Sequence, residues 1–418
     1  MPALGDSSTS TLSKYLERYA ESVAREVSSL SGSWSAAVTI PAYNEDPEDL
    51  LAIWQSLRKR SCLFVLVLNQ PEGESSSDLN EKCCAVFAQG RAPDWQSSNQ
   101  QLQLYKEASS AVLLVDCFTE LRQIPVKQGV GLARKIGADI ITALYHGRAL
   151  AQPWIYSTDA DAKLPENYID ATQGLDSEIS ILLLPFAHLS TGSAQLDQAQ
   201  ALYDLHLHYY VAGLAWANSP YAHQSMGSTQ IVNIEHYAKV RGYPKRNAGE
   251  DFYLLNKLSK TGRVLALEEP VVTLKTRVSN RTPFGTGAAV NDILGLTNPI
   301  EQYCYYHPQV FSELKNLLMV FPELWNTNTK LSTSSQRVLQ TMGFDKAVEA
   351  ARNNSKSPSA FSRHMHDWFD AFRTLKYIHG LRGERYESVS IIRLKNLLPA
   401  GFEKIERRVE VVLTKDIR

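Results

Sequence analysis

The sequence predicts an α/β protein, with a mostly parallel sheet flanked by helices and a helical region at the C-terminal end. Three observations carry this. From Ala36 onward, short apolar runs rich in Val, Ile and Leu alternate with segments of helical periodicity, the pattern of parallel strands joined by crossover helices. The runs are continuously apolar, as strands buried on both faces require. Beyond about residue 290 apolar residues recur mainly at helical spacing, without an internal repeat. At 418 residues the chain exceeds one ordinary domain. It reads as an N-terminal helix over 1–34 packing on the core, a main domain over 35–290 and a mainly helical region over 291–418.

Taken in order, Leu12, Tyr15, Leu16, Tyr19, Val23, Val27 and Leu30 form one helical stripe that breaks at Ser31-Gly32. The first strand runs from Ala36 to about Pro41. Asp46-Pro47-Glu48-Asp49 then starts a helix: Asp46 caps, Pro47 suits the first position and two acids complement the helix dipole. Leu63 to Asn69 is a second strand, Leu79 to Phe87 a helix, and the Gln-rich stretch from Gln89 to Gln103 reads as a surface insertion. Ala111 to Cys117 is a strand, Val130 to Tyr145 a helix, and Trp154 to Thr158 a strand ending at Asp159-Ala160-Asp161. Ile181 to Pro185 is a central strand and Ala194 to Ala217 a long helix. After Gly227-Ser228 a short strand and helix lead to Gly249-Glu250-Asp251, and two β-rich runs follow at Arg263 to Leu267 and Val271 to Arg277.

Composition narrows the function. Forty-three basic against 44 acidic residues leave a net charge of −1, so no global field draws the chain to nucleic acid. No apolar run approaches the ~20 residues of a membrane-spanning helix, and the N-terminus lacks a signal-peptide pattern, so a cytoplasmic protein is expected. Cys62, Cys83, Cys84, Cys117 and Cys304 show neither paired nor zinc-binding spacing and are expected to be core thiols.

In an open α/β sheet, ligands sit outside the carboxyl ends of the strands. Pro41, Ala42, Tyr43, Asn44, Glu45 and Asn69 fall there, with turn formation as the competing role for Asn69. Asp159 and Asp161, two apart at a strand end, are candidates to hold Mn2+ or Mg2+, hard ions that take oxygen ligands. Asp251 is the candidate general base for an acceptor hydroxyl, with Glu250 contacting the acceptor or the metal shell; helix capping competes. Arg134, after the glycines of Lys127 to Arg134, and Arg277 and Arg281, around a Ser/Asn turn, are candidates to hold phosphate. His364 and His366, like His206 and His208, diverge on a helix and make poor metal pairs. His307 is either a far-side metal ligand or a turn residue.

Together these residues resemble the family 2 glycosyltransferases, enzymes of the GT-A (Rossmann-like) fold, over roughly residues 35–290. Val38 to Glu45 is similar to the family's first strand and nucleotide-binding turn, and Gly131-Leu132-Ala133-Arg134 to its glycine and arginine segment. Asp159-Ala160-Asp161 matches its DxD metal motif, and Gly249-Glu250-Asp251-Phe252 its acidic GED motif, preceded by Gly227-Ser228 and Arg241-Gly242-Tyr243-Pro244. The resemblance implies metal-dependent transfer from a nucleoside diphosphate sugar, a UDP- or GDP-sugar, to an acceptor hydroxyl, normally with inversion. One departure stands out: Asn69-Gln70-Pro71-Glu72 occupies the place where the family commonly carries aspartates followed by Gly-Ser. The alternatives are a retaining transferase of the same fold, a non-catalytic sugar-nucleotide-binding module and a nucleotidyltransferase. The region after residue 290 is expected to shape the acceptor side or form a homo-oligomer contact; the acceptor itself is unknown.

Overall fold

The computed structural model describes residues 6–75, 78–278, 285–327 and 331–415. They form two compact units, Met1–Leu189 with Ser225–Lys275 and Ser190–Gln224 with Thr276–Arg418.

The first unit is built on β1 (Ala36–Ala42), β2 (Cys62–Asn69), β3 (Trp95–Gln96), β4 (Leu102–Glu107), β5 (Ser110–Cys117), β6 (Trp154–Ser157), β7 (Ala162–Lys163), β8 (Ile179–Leu183), β9 (Phe186–Leu189), β10 (Gln230–Asn233), β11 (Arg263–Ala266) and β12 (Val272–Lys275). Nine of these strands make one sheet in the order β11-β8-β10-β6-β1-β2-β5-β4-β3. All run the same way except β10 and β4. A small sheet, β7-β12-β9, follows the end of β6. Every residue of β1 and β2 is buried, which explains sequences that are apolar but for Thr39 and Asn69.

The helices are α1 (Asp6–Arg18), α2 (Pro47–Leu57), α3 (Asp78–Ala88), α4 (Gly129–His146), α5 (Ala194–Trp216), α6 (Ile234–Lys239) and α7 (Glu250–Leu258). Asp46 caps α2 as expected, its carboxylate accepting the Glu48 N–H at 2.9 Å. The helix α4 lies directly on β1: a side chain at Gly137 would approach Thr39 Oγ1 to 1.9 Å, so a residue without Cβ is required there.

Several expectations change. The N-terminal stripe is not one helix: α1 stops at Arg18 and a 3-10 helix occupies Ser22–Ser29. The break has a cause, because the Glu21 N–H is diverted to the buried Asp139 carboxylate at 2.8 Å. The Gln-rich segment 89–103 is not a plain insertion, for it contributes β3 and the start of β4 to the edge of the main sheet. Leu102 and Leu104 are fully buried there between polar neighbours. Cys304 is exposed rather than a core thiol, whereas Cys62, Cys83 and Cys117 are buried.

Among the described residues, the regular structure of the second unit is helical apart from a two-stranded pairing of Cys304–Tyr305 with Val389–Ser390. Sequence reading kept α5 with the sheet domain; the structure groups it with the C-terminal helices, its Leu202, Leu205 and Tyr209 sharing a core with Phe311, Phe321 and Tyr377. Gly213 of α5 sits beneath the ring of Phe311, where a Cβ would come within 2.4 Å. His206 is enclosed by the rings of Tyr303, Tyr305 and Tyr306, and burial pushes its pKa down to about 4. His307 acts in a turn, its Nδ1 accepting the Gln309 N–H at 3.2 Å. Among the described residues no helix is long and apolar enough to cross a membrane.

In the first unit Asp139, fully buried on α4, ties the N-terminal segment to the core. It accepts hydrogen bonds from Tyr15 Oη at 2.5 Å, Tyr237 Oη at 2.9 Å and Lys135 Nζ at 2.9 Å. Burial raises its pKa against the opposing pull of Lys135 and Tyr15. Asp139→Ala strands a buried ammonium and should cost about 3–5 kcal/mol, read from urea unfolding; a loss below about 1 kcal/mol, as for an exposed pair, would contradict this role.

Candidate active site

The site lies at the carboxyl edge of the sheet, where the strand order places the ends of β2, β1 and β6 side by side and the start of the antiparallel β10 next to β6. Its centre is Arg134. One turn into α4 and almost fully buried, the guanidinium donates from Nε to Glu250 Oε1 at 2.7 Å and from Nη1 to Ser157 Oγ at 2.9 Å, and pairs through Nη2 with Asp159 Oδ1. One fork-shaped cation therefore joins the end of β6, the loop after it and the start of α7. The neighbouring carboxylates raise the Arg134 pKa despite its burial.

Local backbone explains how these segments meet. Gly131 donates its N–H to Arg246 O at 2.8 Å, and a Cβ on Gly131 would sit 2.5 Å from Pro244 O. Gly129, at φ +38°, would meet Asn247 Cα at 2.7 Å. The glycines read from sequence as a phosphate loop thus let the 244–247 backbone lie against the first turn of α4. That segment leads through Gly249, in the left-handed region at φ 73°, into Glu250 and Asp251 at the first turn of α7. Gly227, before β10, is equally constrained: a Cβ would lie 2.7 Å from Arg134 Nη2 and 3.3 Å from Asp251 Oδ2. Asp251 is therefore in the same cluster as Arg134 and Asp159.

Charge in this cluster is unbalanced, with Asp159, Glu250 and Asp251 against one guanidinium. A carboxylate at a helix N-terminus ordinarily has a low pKa. Asp251 does not, because burial, then Glu250 and Asp159, push it up to about 7 against the pull of Arg134 and the Phe252 N–H. Asp251 Oδ1 accepts that N–H at 2.7 Å, so part of its role is local.

Asp159 and Asp161 are not on an extended strand, as their spacing suggested. The strand β6 ends at Ser157, and a turn follows in which the Ala162 N–H reaches Asp159 O at 3.1 Å. Asp161 is half-buried, its carbonyl receiving the Lys275 N–H of β12 at 3.0 Å. Among the described residues no three His, Cys, Asp or Glu side chains gather as a ready metal site. Asp159 and Asp161 put two carboxylates in one short turn, the oxygen-donor type that Mg2+ or Mn2+ takes alongside phosphate and water oxygens.

Beside this cluster, at the ends of β1 and β2, a cleft of about 360 Å³ is lined by Tyr43, Asn44, Gln70, Glu74 and Asp78 among others. That is within the range of small-molecule sites. Asn44 turns the chain at φ 55°, a left-handed conformation that asparagine tolerates, and Tyr43 Oη donates to Glu74 Oε2 at 2.6 Å. Pro41 and Ala42 are buried within β1, and Glu45 is buried with its carbonyl near Cys83 Sγ at 3.8 Å. Asn69 serves the turn, its Nδ2 donating to Val67 O at 3.2 Å and its carbonyl accepting from Asn80 at 3.3 Å. Gln70 is stitched to Cys117 and Ile124 through its backbone. Arg277 is half-buried after β12, in the second unit, and Arg281 lies outside the described residues. Sequence reading missed the roles of Ser157 and Glu74 and the steric role of Gly227.

No family model matches the chain, and no curated protein matches it. Solved structures that are similar include residues 1–349 of Staphylococcus aureus TarS in complex with UDP-GlcNAc, at 14% identity over 92% of this chain and 88% of that one, with a TM-score of 0.36. A second structure of TarS 1–349 gives 13% identity, 84% and 91% coverage and a TM-score of 0.37. A mycobacterial protein gives 13%, 68% and 83%, and 0.32.

The raised Asp251 pKa makes a stability prediction. A carboxyl whose pKa rises on folding favours the folded state while protonated, and that contribution is lost as pH rises through about 7. Asp251→Asn should therefore stabilise the protein at pH 8, by about 1–2 kcal/mol after solvent screening, with the gain shrinking towards pH 5. Thermal unfolding at the two pH values measures it; a variant less stable than wild type at pH 8 would contradict the assignment.

Proposed function

We propose that the chain is a metal-dependent GT-A glycosyltransferase of the family 2 type, moving a sugar from a UDP- or GDP-sugar to an acceptor hydroxyl with inversion. The observation that carries this reading is the meeting of Asp159 and Glu250 on one buried arginine, beside an aspartate whose pKa is pushed up to about 7. A nucleotide-sized cleft on neighbouring strand ends supports it.

In this reading Asp251 accepts the proton of the attacking hydroxyl, a task suited to a base whose pKa lies near the working pH. Arg134 positions Glu250 and the Asp159 turn, so the cluster does not reorganise during transfer. Asp159 and Asp161 would hold Mn2+ or Mg2+, which when bound offsets charge on the departing diphosphate. The nucleoside would occupy the cleft lined by Tyr43, Asn44, Gln70, Glu74 and Asp78, with Tyr43 and Asn44 its first contacts.

The test is a thermal-shift panel of nucleoside diphosphate sugars with Mn2+, followed by assay of nucleoside diphosphate release. One donor should raise the melting temperature. Asp251→Asn should keep that shift while lowering turnover about 10²–10⁴-fold, and wild-type kcat/KM should fall as pH drops below about 7. Release of pyrophosphate when a nucleoside triphosphate and a sugar 1-phosphate replace the donor would indicate a nucleotidyltransferase, donor binding without turnover a binding module, and no shift with any donor would overturn the proposal.

A further inference from the structure

The C-terminal unit carries a groove of about 640 Å³ between the helices Thr333–Thr341 and Ala371–Glu384. Its shape follows from two glycines. At Gly380 the helices touch, since a Cβ would lie 2.5 Å from Val338 Cγ1; at Gly383 the space is open, with no atom within 4 Å of such a position. The glycine that lets the helices close is thus followed, three residues on, by one that leaves them apart.

The lining is cationic. Arg337, Arg373 and Lys376 face the groove against one lining carboxylate, Glu384, which pairs with Arg337. Arg373 is held in place, donating to Trp368 O at 2.8 Å and lying 4.0 Å from Asp370. Lys376 is exposed, its ammonium 5.0 Å from the centre of the Phe372 ring. The helix Ala371–Glu384 reinforces the sign, carrying Arg373, Lys376 and Arg382 but a single acid. Phe372 and Met342 add apolar surface to the lining. Inorganic ions need no groove of this size or a flat apolar surface. An extended anion with apolar faces of its own uses both.

We propose that this groove binds an anionic glycan chain, its carboxylate or phosphate groups on Lys376, Arg373 and Arg337 and its sugar rings against Phe372 and Met342. The anionic character follows from the groove; the choice of a glycan rests on the glycosyltransferase reading. Charge supplies attraction that salt weakens, and the aromatic and thioether surfaces select for ring faces.

Calorimetry on the full chain tests this with oligogalacturonate, phosphorylated oligomannose and neutral oligomannose as probes. Both anionic glycans should bind and the neutral one should not, with affinity falling as salt rises. Lys376→Glu should weaken binding at least about tenfold. Gly383→Leu, which fills the open end without altering charge, should weaken it similarly while leaving the unfolding temperature near that of wild type. Nucleotide-sugar thermal shifts in the same variants should be unchanged, so a failed donor reading would appear separately, as no shift in the wild type. Unaltered anionic-glycan binding in both variants, equal binding of the neutral glycan, or equally tight binding of polyglutamate would overturn the proposal.

Discussion

Arg134 bonds, from a buried position, to Ser157 at the end of β6, to Asp159 in the following turn and to Glu250 at the start of α7. A guanidinium out of water is tolerable only with such partners, and the carboxylates are tolerable together only with the guanidinium. The arrangement is mutual. Burial raises the Asp251 pKa first, and because three acids surround one cation, Glu250 and Asp159 add to that rise against the pull of Arg134. The same residue that fixes the cluster thus leaves one carboxyl poised to exchange a proton.

The rest of the first unit serves this placement. Gly137 lets α4 rest on β1, and Gly129 and Gly131 let the 244–247 segment lie on the first turn of α4. The buried Asp139, two turns of backbone away, anchors α4 to Tyr15 and Tyr237. A helix fixed at its first turn and again near its middle holds its arginine in one position, and the loops carrying the carboxylates are aligned to it.

Much of this was legible in the sequence. Continuous apolar runs at Leu63 to Leu68 and Ala111 to Val115 announced buried parallel strands, and Asp46-Pro47 announced a capped helix. The acids Asp159 and Asp251 were legible as residue types at strand and helix ends. Other features were hidden for physical reasons. Leu102 and Leu104 alternate with glutamines, so an edge strand resembled a loop. The bond from Glu21 to Asp139 spans 118 residues, and no local periodicity reports a contact of that range. The helical spacing of α5 revealed a helix but not its partners, which lie beyond residue 290. Arg134 read as a phosphate ligand because glycines precede it; those glycines make room for protein backbone, and the arginine faces protein carboxylates.

The claim that Arg134 governs Asp251 is tested most directly by carbon-13 NMR titration of the Asp251 carboxyl in wild type and in Arg134→Met. The account predicts titration near pH 7 in wild type and a shift to higher pH once the guanidinium is gone. Titration near pH 4, or a midpoint indifferent to Arg134, would contradict it.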